Sequence, residues 1–256
     1  LNEKDLKALG RTHTVQEALS AFKIAQENFT AVSFDLIYAR QNQKIKHWEK
    51  ELTQALGLGA NHMSLYQLTI EQGTAFGDRY NRGLLKGLPN DDIASELYDI
   101  TSNLCDDRGL KAYEVSNYAQ EGFESVHNLI YWRYGDYIGI GPGAHGRLTI
   151  DGRKYATETH LSPEDWITKV ESQDSGESCV TELSKKQQAD EMVMMGLRLN
   201  EGINCKRFQN LSGFSFSENK LTFLKNIQLI EQKEGNIAAT FSGRKVLNSV
   251  LAELLN

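Results

Sequence analysis

The chain has 256 residues, 40% hydrophobic and 24% charged, enough apolar material to close a core, which excludes a disordered or fibrous chain. Its longest unbroken apolar run is four residues, as at Met192–Met195, against about twenty for a membrane helix. An integral membrane segment is therefore not expected, and the charged N-terminal stretch shows no secretory signal, which predicts a cytoplasmic protein. A formal net charge of −6 argues against a protein that holds nucleic acid through its phosphates.

In chain order, Val15, Ala18, Leu19, Phe22 and Ala25 recur at helical spacing after Thr14, with Glu17 placed for a capping box, and predict a helix over 14–27. Ala31–Tyr38 reads as a strand, the stretch carrying Trp48, Leu52 and Leu56 as an amphipathic helix, and His62–Ile70 as a second strand. After a loop containing Gly73, Gly83 and Gly87, a helix is predicted over 91–108 and a short strand over 111–116. Alternating strands and helices predict a parallel sheet with crossover helices. Ligands of such sheets gather where strands end, which makes Asp35, Gln67, Thr69, Glu71, Glu114 and Asn117 candidates. Leu148–Ile150 and the turn Asp151-Gly152 read as a hairpin, and Asp174–Ser178 as a linker. The last third reads as helices over 183–199, 205–211 and 217–226, then a two-stranded ribbon around Lys233-Glu-Gly-Asn236 and a final helix, the outline of a winged helix. Its basic residues are interleaved with acids, which favours packing over DNA binding.

Little else in the chain carries chemistry. Cys105, Cys179 and Cys205 have neither disulfide nor metal-ligand spacing, and no histidine pair marks a zinc or di-iron helix face. No nucleophile elbow supports a hydrolase. Gly141, Gly143 and Gly146 form a G-x-G-x-x-G, but Pro142 lies inside it and a hairpin follows where a dinucleotide site needs a helix. These glycines suit close approach of backbone to a planar ligand beside His145 or, equally on spacing alone, a tight structural loop. His127-Asn-Leu-Ile-Tyr-Trp132 stands out, because an imidazole followed by two large aromatics suits a porphyrin: a ligand for iron and rings for stacking. Arg133, Arg147, Arg153 and Lys154 make the surrounding segment basic, as propionate carboxylates would require.

The ordered motifs Leu9-Gly-Arg-Thr-His13, Ser33-Phe-Asp-Leu-Ile-Tyr-Ala-Arg40, Leu65-Tyr-Gln-Leu-Thr-Ile-Glu71, Tyr113-Glu-Val-Ser-Asn-Tyr-Ala119, His127-Asn-Leu-Ile-Tyr-Trp132 and Gly139-Ile-Gly-Pro-Gly-Ala-His145 resemble those of the HemW-type heme chaperones. That family is similar to the oxygen-independent coproporphyrinogen III oxidases of the radical SAM superfamily. The resemblance implies an α/β fold: the C-terminal part of a radical SAM partial (β/α) barrel over residues 1–160, then a mainly helical, winged-helix-like domain over 161–256. It implies a [4Fe-4S] cluster on a C-x-x-x-C-x-x-C loop, with ligands expected upstream of Leu1, and S-adenosyl-L-methionine (SAM) beside it. Of the SAM contacts, Arg11 corresponds to the one with the methionine carboxylate, Asp35 to the one with the ribose hydroxyls, and Thr69 and His145 to the adenine packing. His127 corresponds to the heme-iron ligand, with Tyr131 and Trp132 alongside. Where the family reads Pro-Gly-Gln-Thr, this chain has Gln41-Asn-Gln-Lys44, which puts the shape of that loop in question. The expected function is heme binding and delivery to hemoprotein apo-forms, with a homodimer as one candidate assembly that the sequence does not decide. The rival is oxidative decarboxylation of coproporphyrinogen III propionates, which this chain, lacking the cysteine motif, would not perform alone.

Overall fold

The computed structural model describes residues 1–255 and divides into two compact units, Leu1–Glu124 and Ser125–Asn256. The expected division at residue 160 falls inside the second unit, between strands that pair with each other.

The first unit runs α1 (Glu3–Ala8), α2 (Val15–Asn28), β1 (Ser33–Tyr38), α3 (Ile45–Leu56), β2 (His62–Gln67), α4 (Ala75–Asn81), α5 (Asp91–Asp106), β3 (Lys111–Ala112) and β4 (Asn117–Ala119). Helix α2 starts as its sequence predicts: the Thr14 hydroxyl accepts from the Glu17 amide while the Glu17 carboxylate accepts from the Thr14 amide. The sheet order is β1-β2-β4-β3, with β1 and β2 parallel and the other neighbours antiparallel. A wholly parallel sheet is thus not what forms. After β3 the buried Glu114 carboxylate accepts from the Ser116 amide and the Asn117 side-chain amide, both at 2.6 Å. That turn sends Asn117–Ala119 back along β2, so the strand expected over 111–116 becomes a hairpin.

Side chains alternate across a strand, and here the alternation separates two chemistries. Phe34, Leu36, Tyr38, Met63, Leu65 and Tyr118 join the core built on Trp48, Leu52 and Leu97 of α3 and α5. Ser33, Asp35, His62, Ser64 and Asn117 occupy the other face. Truncating a fully buried leucine such as Leu52 or Leu97 to alanine costs about 2–5 kcal/mol, so the helix-covered face holds the sheet.

The loop after β1 is a tight one. Ala39 and Asn42 have φ of 57° and 56°, the Asn42 amide donates to Gly87 O at 2.6 Å, and Gln43 Oε1 accepts from the Arg40 amide at 3.2 Å. Asparagine tolerates this left-handed backbone, so Asn42 keeps a conformation that suits the glycine found there in the family.

The second unit opens with α6 (Val126–Trp132), followed by β5 (His145–Ile150), β6 (Arg153–Thr159), α7 (Pro163–Gln173) and β7 (Glu177–Glu182), the three strands forming an antiparallel sheet. The predicted hairpin is there, its turn made by Asp151 and Gly152 at φ 49° and 76°. The expected linker is not: Asp174 ends α7 in the left-handed conformation and Glu177 already pairs in β7. Then come α8 (Lys185–Gly196), β8 (Ile203–Asn204), α9 (Cys205–Ser212), α10 (Glu218–Asn226), β9 (Ile230–Lys233), β10 (Asn236–Ala239), α11 (Phe241–Lys245) and α12 (Leu247–Leu255). Strands β8, β10 and β9 form the wing, with Glu234 and Gly235 in its turn at φ 53° and 82°. Val193, Leu197, Ile203, Leu224, Ile237 and Val250 are buried in this region. Among the described residues no helix is long and apolar enough to cross a membrane.

Candidate functional site

The polar face of the first unit is a connected network. His62 Nδ1 lies 2.8 Å from Ser33 Oγ and its Nε2 2.8 Å from Tyr113 Oη, while Ser33 Oγ donates to Asp35 Oδ1 at 3.3 Å. Burial pushes the His62 pKa down, against the opposing pull of Asp35, Glu114 and Glu124. Asp35 is exposed and stands opposite Ser64 in the register, in the middle of β1 and not at its end as expected. Asn117 Oδ1 is buried without a hydrogen-bond partner, an acceptor suited to an amino or hydroxyl donor. Thr69 lies exposed just past β2, and Arg11 exposed in the segment after α1. The structure thus sets Ser64 and His62 on the face of Asp35, neither of them a candidate for this role, with Tyr113 bonded to His62. Their signal was the polar–apolar alternation of His62-Met-Ser-Leu65.

In the second unit, Ser125 caps α6 by accepting from the Asn128 amide, and the i,i+4 spacing brings His127 and Tyr131 onto one helix face. Tyr131 Oη is 2.8 Å from His127 Nε2, and the rings meet edge-on with centroids 4.6 Å apart. The other side of Tyr131 meets Tyr137, again edge-on, at 4.3 Å. Val126, Ile130, Ile138 and Ile140 are exposed on α6 and the loop after it. Trp132 does not join this group. One residue further round the helix, its ring lies under the Arg198 guanidinium at 4.4 Å and lines a small cavity with Met192, Gly196 and Ile203.

The local basic charge also serves another purpose. Arg133 binds both oxygens of Glu201 at 2.7 and 2.8 Å, Arg147 chelates Glu191, Arg153 pairs with Glu182 and Lys154 with Asp136. Tyr134 donates to Glu191 at 2.9 Å, and burial pushes its hydroxyl pKa well up. For Asp136, burial opposes ionisation, but hydrogen bonds from Lys154 and Thr149 outweigh it and hold the carboxyl below the usual range. Each of the four cations meets an acid: Asp136 within the segment, or Glu182, Glu191 and Glu201 from further along the chain.

The glycine loop is held by its own packing. A Cβ on Gly139 would meet the His145 carbonyl at 2.6 Å, and Thr159 Oγ1 ties the loop by donating to Gly141 O and accepting from the Ala144 amide. Gly139 therefore answers to the backbone of β5, whereas a Cβ on Gly141 would meet nothing within 4 Å. His145 begins β5 with its ring exposed, Nδ1 3.9 Å from Glu158.

The described residues contain no cluster of His, Cys, Asp or Glu able to hold a metal ion. Burial pushes the Cys105 thiol up to about 12, Cys205 is half-buried and Cys179 is exposed. The three do not fit an iron–sulfur cluster.

The structure of E. coli coproporphyrinogen III oxidase (HemN), described as a radical SAM enzyme, superposes on 99% of this chain and 62% of its own, with a TM-score of 0.75 at 16% identity. Residues 183–246 match the HemN C-terminal domain. The mitochondrial radical S-adenosyl methionine domain-containing protein 1 of Dictyostelium discoideum is 36% identical over the whole chain, which spans 64% of that relative. The heme chaperone HemW of Lactococcus lactis is 34% identical over 99% of the chain and 66% of its own length. The chain thus spans slightly less than two thirds of these relatives. It belongs to the HemW-type, HemN-like family of radical SAM proteins.

Proposed function

We propose that the protein binds heme on the exposed face of α6 and, in the whole protein, passes it to hemoprotein apo-forms. The observation that carries this reading is the His127–Tyr131 pair: an imidazole and a phenol, donors suited to iron, set among exposed Val126, Ile130, Ile138 and Ile140. Relatives named as heme chaperones at 31–40% identity support it over the coproporphyrinogen oxidase alternative, where the likeness is one of fold and of the C-terminal domain. Trp132 then supports α6 from behind through Arg198 and does not stack on the porphyrin.

SAM is proposed for the polar sheet face of the first unit. A carboxylate suits a ribose diol, and the unpaired Asn117 oxygen would take a donor. Asp35 would hold the ribose, Thr69 the adenine, and Arg11 the methionine carboxylate. The compartment is proposed to be the cytoplasm, with the mitochondrial naming of the eukaryotic relatives as the alternative.

Titration with hemin, followed by absorbance, tests the heme site on this chain and on His127→Ala at matched fold content. Saturable binding that shifts or weakens in the variant is the expected result. The same spectrum and affinity in both would remove heme from α6.

A further inference from the structure

We propose that Tyr113, His62 and Ser33 form a one-way hydrogen-bond chain that positions the Asp35 carboxylate for a ribose diol. This rests on the reading of that sheet face as a SAM site and goes beyond it by giving three further residues a role in the ribose contact, each acting through Asp35.

The direction of the chain follows from its protons. Ser33 Oγ lies 3.3 Å from Asp35 Oδ1 and 2.8 Å from His62 Nδ1. A serine hydroxyl has one proton and a carboxylate only accepts, so that proton goes to Asp35, and His62 Nδ1 donates its own to Ser33. Burial, against the opposing pull of Asp35, Glu114 and Glu124, lowers the His62 pKa and favours the neutral ring. In a neutral imidazole with its proton on Nδ1 the other nitrogen accepts. Tyr113 Oη, 2.8 Å from Nε2, is therefore a donor. The opposite tautomer would turn the Ser33 proton towards the ring and set the serine lone pairs against the carboxylate.

Strand geometry brings these groups together. Ser33 and Asp35 are two residues apart on β1, hence on one face, and His62 is the register partner of Ser33 on β2. His62 is 7% exposed and Tyr113 half-buried, whereas Ser33 and Asp35 are exposed. The chain is thus anchored inside and ends at the surface. Rotation of an aspartate carboxyl about its last torsion is broad, so an isolated Asp35 would offer a diol a mobile acceptor. A hydroxyl held by a buried histidine occupies Oδ1, restrains the plane of the carboxylate and leaves Oδ2 to accept from the diol. Fixing an acceptor in advance lowers the ordering cost of binding, and does so only for ligands that carry the diol. The last link is the longest of the three, so losing Ser33 weakens the diol contact without abolishing it.

The test uses the 256-residue chain. Long-range proton–nitrogen correlation NMR of the ligand-free, isotope-labelled chain reads which nitrogen of each imidazole carries the proton, and His62→Gln identifies the His62 signals among the six histidines. A neutral His62 ring protonated on Nδ1 is expected above neutral pH. A proton on Nε2, or a charged ring, overturns the chain, and this reading does not depend on how any Ser33 variant folds. Titration with adenosine and with 2′,3′-dideoxyadenosine, at fold content matched by circular dichroism, then reads the positioning. The wild type should prefer adenosine by about tenfold, Asp35→Ala should show no preference, and Ser33→Ala should keep about threefold or less. Ser33→Thr retains the hydroxyl on a strand that suits a β-branched residue and should restore the wild-type ratio. Dideoxyadenosine should bind the wild type and Ser33→Ala alike, which separates a lost diol contact from a general loosening of the sheet. An unchanged ratio in Ser33→Ala overturns the positioning role and leaves the ribose contact of Asp35 standing. No preference for the diol in the wild type, or no saturable binding of adenosine, overturns both.

Discussion

Lys44 occupies the N-cap of α3 and makes no side-chain cap, and it places a cation where the helix presents unpaired amides and the positive end of its dipole. Thr14, at φ −89° and ψ 163°, caps α2 through its hydroxyl; Lys44, at φ −95° and ψ 144°, has nearly the same backbone. Lys44→Thr should therefore cap α3 without backbone rearrangement. The gain is tempered, because the amide that the introduced hydroxyl would serve, that of His47, already donates to the Lys44 carbonyl at 2.9 Å. We expect the low end of the capping range, about 0.5–1 kcal/mol, plus about 0.3–1 kcal/mol from removing the cation. The total of roughly 1–2 kcal/mol corresponds to a rise in melting temperature of roughly 2–8 °C. Thermal unfolding followed by fluorescence suits this, since Trp48, one turn along, is fully buried. Lys44→Ala removes the charge without supplying a cap and should recover only part of the gain. Equal stability of the two variants would refute the capping argument, and destabilisation by threonine would refute the whole account of this terminus.

Thr101→Val should cost about 1–3 kcal/mol in urea unfolding, because the buried Trp48 indole donates to Thr101 Oγ1 at 2.8 Å and would lose its acceptor. Gly202→Ala should destabilise the second unit by at least about 2 kcal/mol: φ is +67° and the added Cβ would fall 2.2 Å from the Ile237 carbonyl, so wild-type unfolding by circular dichroism would contradict the close approach. Stability should fall as the pH drops from 8 through about 6.5, because burial depresses the folded His62 pKa and the unfolded chain then binds the proton more readily. His62→Gln should flatten that part of the denaturation profile, and an unchanged slope would assign the titration to another group.

What could be read before the structure was known depended on how local each determinant is. The capping box at Thr14 and Glu17, the Asp151-Gly152 turn and the wing turn at Glu234-Gly235 are short-range signals, and each formed as read. The segment after α5 misled because Glu114 looks like a strand residue until its carboxylate is seen holding Ser116 and Asn117. The local basic charge of residues 127–154 misled for a related reason, since three of the neutralising acids, Glu182, Glu191 and Glu201, lie well down the chain. The i,i+4 relation of His127 and Tyr131 was open to inspection from the motif alone. The separation of Trp132 from them was not, because the stretch was read as a motif and not as a helix with a phase.

The two-faced sheet of the first unit has a consequence for folding. Sliding β2 by one residue would carry His62 and Ser64 into the helix-covered core and expose Met63 and Leu65. Mispairing would therefore strand a histidine and a hydroxyl against Trp48 and Leu52, without the Ser33 and Tyr113 partners that His62 now has. The polar residues of this face thus also penalise the wrong register, so that exchanging them for apolar ones would loosen the alignment of the strands.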